Sequence, residues 1–286
     1  MILDGHIHLR HPGLETGDFL RKLDAVGVAG GIVISLPPPT FQRLPQNQSA
    51  QARLEHVLAW CAARPRLYPF FWIDPIDAAA PAQVEAAAAR GIAGFKVICD
   101  RFPPGQAAAM WVYRAIATTG RPLLFHSGIL WDGKASSVYN RPTEFEVLLD
   151  VPKLRFSLAH ISWPWCDELV AVYGKFLNAG SIRPDTSVEM FVDTTPGTPA
   201  IYRERALANL FGAGYDVANN IWFGSDCYAD AYNGEWVRQW YDRDTAIFRS
   251  LGLGEDMPAR VFGKNLERFL GLTTEKVAKA VPLPAQ

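Results

Sequence analysis

Features that would place the chain in a specialised class are scarce. The 286 residues contain only four cysteines, Cys61, Cys99, Cys166 and Cys227, and these lack the paired spacing of structural zinc sites. They are also too few for a disulfide-stapled scaffold, so we expect a reducing, cytoplasmic location. No run of about 18 apolar residues occurs, so we expect no membrane-spanning helix. The chain enters an apolar segment at Ile2 without a charged leader or a small-residue cleavage site, so we expect no signal peptide.

An excess of one charge is also missing, because 28 Lys and Arg face 29 Asp and Glu for a net charge of -1. The composition therefore gives no support to a basic groove of the kind that binds nucleic acid. Hydrophobic residues make up 49% of the chain, which suffices for a sizeable core and argues against disorder. Length and composition indicate a large globular protein of enzyme size, whose expected partner is a small molecule.

Short apolar segments alternate with helical segments along almost the whole chain. Eight segments are predicted strands: 2–9 (ILDGHIHL), 31–36 (GIVISL), 67–73 (LYPFFWI), 92–98 (IAGFKVI), 122–126 (PLLFH), 154–160 (LRFSLAH), 188–193 (VEMFVD) and 221–225 (IWFGS). The segments between them have the Ala, Leu and Glu content of helices: 50–63, 81–89, 106–118, 165–176 and 201–211. Such alternation implies parallel strands joined by right-handed crossovers.

The count of these units selects the architecture. Eight strand–helix units in about 250 residues is the count of a (β/α)8 barrel, whereas a doubly wound sheet more often has five or six strands. We therefore predict the α/β class and a single (β/α)8 TIM barrel over residues 1–280. A helix within 256–270 is expected to close the barrel, and 281–286 (VPLPAQ) are expected to form a flexible tail.

His6 and His8 stand at the end of the first predicted strand. Residues two apart in a strand share a face, so both imidazoles point the same way. In a barrel that face is the interior, where polar groups are costly unless they find partners. Two converging neutral imidazoles suit a divalent metal such as Zn²⁺, and the alternative is a pair of surface or hydrogen-bonded histidines.

Five further polar residues stand at the predicted carboxyl ends of later strands: Lys96, His126, His160, Asp193 and Asp226. Successive members are separated by 30, 34, 33 and 33 residues, about one strand–helix unit each. Side chains spaced in this way reach the same rim of a barrel, and barrel active sites are built at that rim. The sequence therefore predicts a metal site there, while His11, in a loop, and His56, on a helix, are expected to lie outside it.

Asp226 and His160 are the candidates for acid–base chemistry. A divalent metal lowers the pKa of bound water to near 7, and a carboxylate beside it can take the proton and deliver it to the leaving group. Asp226 suits that role, and the alternative is a helix cap after the eighth strand. His160 can polarise a substrate carbonyl or stabilise the developing oxyanion, and the alternative is to hold another ligand in place.

Five short motifs contain all of these residues except Asp193, in chain order DGHIHL, GFK, LLFHSG, LAHISWPW and GSDCY, and a sixth motif, FGKNLERFLGL, stands near the end of the chain. In this order and placement they resemble the amidohydrolase superfamily, and within it the amidohydrolase-2 type of metal-dependent hydrolases and decarboxylases. The resemblance covers essentially the whole chain. It implies that His6, His8, His126 and Asp226 are metal ligands. It also implies that His160 is either a ligand of a second metal or a catalytic acid or base.

Lys96, in the GFK motif, has two roles open to it under this resemblance. In binuclear relatives a lysine here is carboxylated and bridges two metals. In mononuclear relatives a similar lysine pairs with a substrate carboxylate or with a neighbouring acid. A lysine inside a barrel is costly without a partner, so we do not expect a passive role. The resemblance favours one metal ion, with zinc the first choice, and leaves two ions open.

The loops after the strands are expected to build the substrate pocket. Candidate substrate-binding residues in and beside them are Arg10, Lys96, Arg101, Trp131, Trp163 and Tyr228. The cations are placed to bind an anionic group, and the aromatic side chains to bind an apolar ring. Surface ion pairs and packing of the aromatic rings on each other are the alternatives. Exposed loop aromatics are also compatible with a homodimer.

The leading prediction is a metal-dependent hydrolase that uses an activated water on an amide, lactone or ester bond. Its substrate is expected to be small and anionic or aromatic. A metal-dependent non-oxidative decarboxylase of an aromatic or unsaturated carboxylic acid is the second interpretation. A phosphodiesterase or nuclease is a third, and the lack of a basic groove argues against a polymeric substrate. A non-catalytic metal-binding barrel should have lost ligands, whereas this chain retains every rim position that the chemistry needs.

Overall fold

A computed structural model describes residues 1–13, 15–44, 47–183 and 185–273. Within that part of the chain, nine parallel strands form one sheet, in which β1 to β8 pair in chain order and β9 returns to pair with β1. The strands are β1 (Ile2–His8), β2 (Val28–Ile34), β3 (Leu67–Trp72), β4 (Gly94–Val97), β5 (Leu123–Phe125), β6 (Arg155–Leu158), β7 (Glu189–Asp193), β8 (Ile221–Trp222) and β9 (Cys227–Tyr228).

The strands β8 and β9 are two pieces of one eighth strand, interrupted over residues 223–226. Backbone hydrogen bonds join the interruption to β1, because Gly5 N donates to Phe223 O and Asp226 N donates to His6 O, each at 2.9 Å. The ring of strands therefore closes, and the predicted (β/α)8 barrel is confirmed. The sequence predicted one continuous strand over 221–225, whereas the structure interrupts the strand over residues 223–226, which include Asp226.

Helices connect the strands on the outside of the barrel. They are α1 (Thr16–Ala25), α2 (Ala50–Cys61), α3 (Ala80–Ala89), α4 (Ala107–Thr118), α5 (Cys166–Ile182), α6 (Ala200–Gly212) and α7 (Gly234–Ser250). The five predicted helices correspond to α2 to α6, while α1 and α7 were not predicted individually. The helix α7 begins at an Asn233 cap, whose side chain accepts from Trp236 N, and it buries Val237 and Trp240.

The C-terminal helical segment closes the end of the barrel at which the strands begin. It consists of α8 (Met257–Ala259), a π-helical turn (Arg260–Lys264) and α9 (Asn265–Phe269), so the predicted closing helix is present but interrupted. Asn265 fixes it there, because its side-chain amide donates to Ala218 O and Ile221 O just before and within β8. Phe269 is fully buried and stacks on Trp222 with ring centroids 5.4 Å apart. The floor of the barrel is therefore apolar.

The predicted tail at 281–286 and the predicted domain end at 280 lie outside the described residues. Among the helices that the structure does describe, none has the length and apolar character needed to cross a membrane. The cytoplasmic location stays a prediction.

Candidate active site

A cavity of about 270 Å³ opens at the carboxyl ends of the strands, opposite the apolar floor. Six predicted rim residues line it together: His6, His8, Lys96, His126, His160 and Asp226. They come from the ends of five different strands, which is how barrel enzymes assemble their sites. The seventh member of the predicted series, Asp193, lies behind His6 instead of in the cavity wall. The spacing argument therefore placed these residues at the correct rim.

His6, His8 and Asp226 form the tightest group in this cavity. The Nε2 atoms of the two histidines lie 3.1 Å apart. The Asp226 Oδ1 atom lies 3.4 Å from His8 Nε2 and 3.8 Å from His6 Nε2. One ligand atom from each residue lies within 4.8 Å of the other two. Two imidazole nitrogens that face each other beside a carboxylate are a donor set that suits a divalent transition metal, so these residues fit the predicted ion.

Asp193 and Thr195 orient the His6 ring from behind. The His6 Nδ1 atom lies 2.7 Å from Asp193 Oδ2 and 3.1 Å from Thr195 Oγ1. The Asp193 carboxylate is fully buried, and it accepts from the Thr195 backbone N–H at 2.6 Å and from the Thr195 hydroxyl. An acceptor at Nδ1 keeps the proton on that nitrogen and leaves the Nε2 lone pair for a metal. Carboxylates behind metal-binding histidines have this function.

His126 and His160 supply further nitrogen atoms to the same cavity. The His126 Nε2 atom lies 3.2 Å from Ile129 O, so a proton on Nε2 donates to that carbonyl and leaves Nδ1 as an acceptor. The His160 ring centroid lies 4.9 Å from that of His126 and 5.6 Å from that of His6. The His160 Nδ1 atom is buried and has no hydrogen-bond partner among the described residues. A buried nitrogen left in this state is consistent with a partner from a bound ion or substrate.

The backbone is strained where it presents His160 and Asp226. His160, Ile161 and Ser162 have φ values of 62°, 46° and 51°, and Asp226 has a φ of 61°. Left-handed conformations are uncommon for residues other than glycine, and they cluster at functional sites. Gly197 packs directly on the His160 side chain, because a Cβ at Gly197 would lie 2.7 Å from His160 Cβ. The surrounding structure therefore fixes the position of the His160 ring.

The protonation states also suit a cation. Burial lowers the pKa values of His6 and His126 well below the usual range for histidine. Desolvation alone would raise the pKa of Asp226, but the hydrogen bond with His8 and the neighbouring imidazoles outweigh it and hold that pKa well below the usual range. The Asp226 side chain is 41% exposed, so its charge is accessible. Neutral imidazoles beside an ionised carboxylate are the forms that bind metals.

Lys96 is almost completely buried, with its Nζ atom 3.4 Å from His6 Nε2. Burial lowers the pKa of Lys96 to about 8, against the opposing effect of Asp193 and Asp226. In the described part of the chain, no carboxylate lies within ion-pair distance of its ammonium. The carboxylated bridge and the pairing with a substrate carboxylate both stay predictions.

The predicted substrate-binding residues divide into two groups. Trp131, Trp163 and Tyr228 line the cavity, as does Lys96. Arg10 does not line it. Its Nε and Nη2 atoms bind one carboxylate, that of Asp230, at 2.9 Å and 2.8 Å. Its guanidinium also lies over the ring of Tyr228, 4.5 Å from the centroid.

Arg101 likewise lies outside the cavity wall, in ion pairs with Asp74 and Asp100. For both arginines the structure shows the surface ion pair that was the alternative interpretation. The remaining two histidines lie outside the cavity as expected. His11 is exposed near Asp230, and His56 contacts Gly13 O from α2.

The cavity residues that were not predicted include Phe41 and Arg43, which line the wall from the loop after β2. Phe41 is buried and packs on Trp72 with ring centroids 4.8 Å apart. The proline-rich segment 37–43 (PPPTFQR) is the sequence feature that could have pointed to this loop, because prolines at a strand end indicate an ordered connection. Composition alone did not distinguish it from an ordinary connecting loop.

Comparisons with known proteins bear on the family and the fold. The model of the amidohydrolase family Amidohydro_2 matches residues 41–272. A comparison with curated proteins gives no match. Among solved structures, a probable 2-pyrone-4,6-dicarboxylic acid hydrolase from Acinetobacter baumannii, with citric acid bound, is 14% identical with a TM-score of 0.61, over 94% of this chain and 99% of the other.

Two further structures have different activities. The 2,6-dihydroxybenzoate decarboxylase from Rhizobium is 15% identical with a TM-score of 0.62, over 95% of this chain and 98% of the other. A dihydroorotase from Campylobacter jejuni is 15% identical with a TM-score of 0.58, over 96% of this chain and 84% of the other. At these identities the likeness shows the fold, and the fold hosts both hydrolysis and decarboxylation.

Proposed function

The chain belongs to the amidohydrolase family, and we propose that it is a metal-dependent hydrolase that cleaves an amide, lactone or ester bond of a small anionic substrate. The observation that carries the proposal is the group of His6, His8 and Asp226 at the base of the cavity, with an ionised and accessible carboxylate. Zinc is the first choice of ion for this mixed nitrogen and oxygen donor set.

His6, His8, His126 and Asp226 are the residues that would hold the ion. A divalent metal in such a site polarises a carbonyl oxygen and lowers the pKa of water. The Asp226 carboxylate takes the proton of the attacking water at its exposed oxygen and delivers it to the leaving nitrogen or oxygen. The neutral His160 ring donates a hydrogen bond to the substrate oxygen on which negative charge develops. Its fixed position means that this donor needs no reorganisation during the reaction.

The cavity wall selects small substrates. Its volume of about 270 Å³ lies just below the usual range of about 300–1,000 Å³ for small-molecule sites. The rings of Phe41, Trp72, Trp131, Trp163 and Tyr228 line it and reduce the access of bulk water. A substrate with a planar or cyclic apolar body fits these walls, and an anionic group on it complements the cations in the cavity.

The test is a panel of carboxylated lactones, esters and amides offered to protein purified without chelators and supplied with Zn²⁺. We expect hydrolysis of at least one class, and a loss of about 10²–10⁴-fold in kcat for Asp226→Asn, because the proton acceptor is lost. Asp230→Asn is the matched control, since Asp230 pairs with Arg10 outside the cavity. Equal activity in the two variants would refute the role of Asp226.

The aromatic walls favour a second candidate, the metal-dependent decarboxylation of an aromatic acid. In that reaction an ion held by the same residues would bind the carboxylic acid substrate itself, and the products are carbon dioxide and the decarboxylated arene instead of a ring-opened or cleaved acid. Measuring carbon dioxide release alongside hydrolysis products over a panel of hydroxybenzoates separates the two candidates. A protein that only binds metal would give neither product with any substrate.

A further inference from the structure

We propose that Arg43 is the anion subsite of this cavity and that the substrate carries a carboxylate remote from the bond that reacts. The inference rests on the proposed function only in taking the His6, His8 and Asp226 group as the reacting end. It replaces Arg10 and Arg101, which the sequence suggested for this role and which the structure places in ion pairs outside the wall.

The first argument is the charge balance of the wall. Three side chains with a formal charge line the cavity, namely Arg43, Lys96 and Asp226. The buried Asp193 carboxylate behind His6 brings the formal charges at the site into balance, and a divalent ion held there would make the site positive. An anionic ligand is therefore favoured over a neutral one of the same shape.

The second argument is that Arg43 is available. Its side chain is exposed, and within the described residues no carboxylate lies within ion-pair distance of it. Other rim arginines have acidic partners from the chain itself, as Arg101 has Asp74 and Arg141 has Glu168. A planar guanidinium with unused donors in a cavity wall has the geometry for bidentate binding of a carboxylate.

The third argument is that the turn bearing Arg43 is fixed in place. Phe41 N donates to Pro38 O at 3.0 Å, and Leu44 N donates to Phe41 O at 3.3 Å, so Arg43 occupies the second of two consecutive turns. The Thr40 hydroxyl donates to Asp74, two residues after β3, at 2.9 Å, and the buried Phe41 ring packs on Trp72. The guanidinium is therefore carried by an ordered support, which lowers the entropy cost of binding.

The test compares two probes with the same shape and different charge, isophthalate and isophthalamide, by calorimetric titration of the zinc-loaded protein. We expect Arg43→Gln to weaken isophthalate binding about tenfold, as for an exposed charge-assisted contact, and to leave isophthalamide binding unchanged. Arg43→Lys should retain part of the affinity, because it keeps the charge and loses the bidentate geometry. Raising the salt from about 0.05 M to about 0.5 M should weaken isophthalate binding more in the wild type than in Arg43→Gln.

Arg114→Gln is the matched control, because Arg114 is exposed on α4, away from the cavity, and its loss changes the net charge equally. An equal loss of affinity in this variant would show a diffuse charge effect and overturn the subsite. Unchanged isophthalate affinity in Arg43→Gln would overturn the subsite too, as would a wild type that does not bind isophthalate. Binding needs no turnover, so an Arg43-dependent affinity together with no hydrolysis across the substrate panel would retain the subsite and reject the hydrolase.

Discussion

The substitution Asp193→Asn tests how the fold prepares His6 for a metal. The two oxygens of Asp193 have different partners, since one accepts from the Thr195 backbone N–H and hydroxyl and the other lies 2.7 Å from His6 Nδ1. In the asparagine variant the Thr195 donors require the amide oxygen on their side. The amide NH2 then faces His6 Nδ1 and donates to it, which moves the histidine proton to Nε2. His6 Nε2, which faces His8 and Asp226, would then carry a proton and could not bind a metal.

The expected magnitude follows from the lost orienting partner. Losing such a partner typically lowers metal affinity 10–100-fold, which corresponds to about 1.4–2.8 kcal/mol. Because the tautomer is reversed as well as the charge removed, we expect the upper end of this range. Asparagine has nearly the same volume as aspartate, and its amide oxygen still accepts from Thr195, so the fold should be retained. Burial raises the pKa of Asp193 to about 6, so the wild type has the carboxylate at about pH 7.5.

The assay is a competition titration of zinc between the protein and a chromophoric chelator, run for the wild type, Asp193→Asn and Asp230→Asn. Asp230 is a rim carboxylate that pairs with Arg10, so its substitution should leave zinc affinity within about twofold. Circular dichroism of all three proteins checks the fold. Unchanged affinity in Asp193→Asn, or an equal loss in Asp230→Asn, would refute the orienting role.

Three further predictions concern the rim, the floor and the ion. Gly197→Ala should lower kcat about 100-fold, because the added Cβ displaces the neighbouring His160 ring by about 1 Å. Gly212→Ala is the control and should leave kcat unchanged, because a Cβ added there meets nothing within 4 Å. Phe269→Ala should lower the free energy of unfolding, measured in urea, by about 3–5 kcal/mol, because it leaves a cavity at a fully buried position. The Leu272 side chain is 56% exposed, so Leu272→Ala should lower the free energy of unfolding by less than about 0.5 kcal/mol. Zinc at a free concentration of about 100 times Kd should stabilise the folded wild type by about 2.7 kcal/mol, so a chelator that removes the zinc should lower the Tm of the wild type. The same chelator should not change the Tm of His8→Ala.

Contrary outcomes would be specific to each of these predictions. Wild-type kcat in Gly197→Ala would mean that the His160 ring tolerates displacement or has no part in turnover. A small effect of Phe269→Ala would mean that the closing segment adds little to the barrel. A Tm that is insensitive to the chelator in the wild type would mean that the folded protein holds no ion of useful affinity.

The rim residues could be predicted from sequence because a barrel repeats one unit. Each strand end is about 33 residues from the next, so His126, His160, Asp193 and Asp226 recur in step with the fold. That period assigns a residue to a rim but does not tell which way its side chain faces. Asp193 is one example, because it follows the period and yet supports His6 from behind instead of lining the cavity.

Loop residues were less predictable, for a physical reason. Arg10 and Arg101 follow strand ends more closely than Arg43 does. Arg101 has one acidic partner beside it in the sequence, Asp100, but Asp230 and Asp74, which also pair with these arginines, follow other strands. Whether an arginine is available to bind a ligand depends on such long-range ion pairs, and these cannot be predicted from the neighbouring sequence. The interruption of the eighth strand was missed for a similar reason. Its left-handed residue is Asp226, whereas the sequence signal for such a backbone is usually a glycine.

The central claim is that the folded chain holds a divalent ion between His6, His8 and Asp226. Its most direct test is the metal content per chain, measured by elemental mass spectrometry on protein purified without chelators, with His8→Ala in parallel. We predict close to one equivalent in the wild type and a large loss in the variant, and two equivalents would support a carboxylated Lys96 bridge. Little metal in the wild type, even after growth with added zinc and manganese, would contradict the claim.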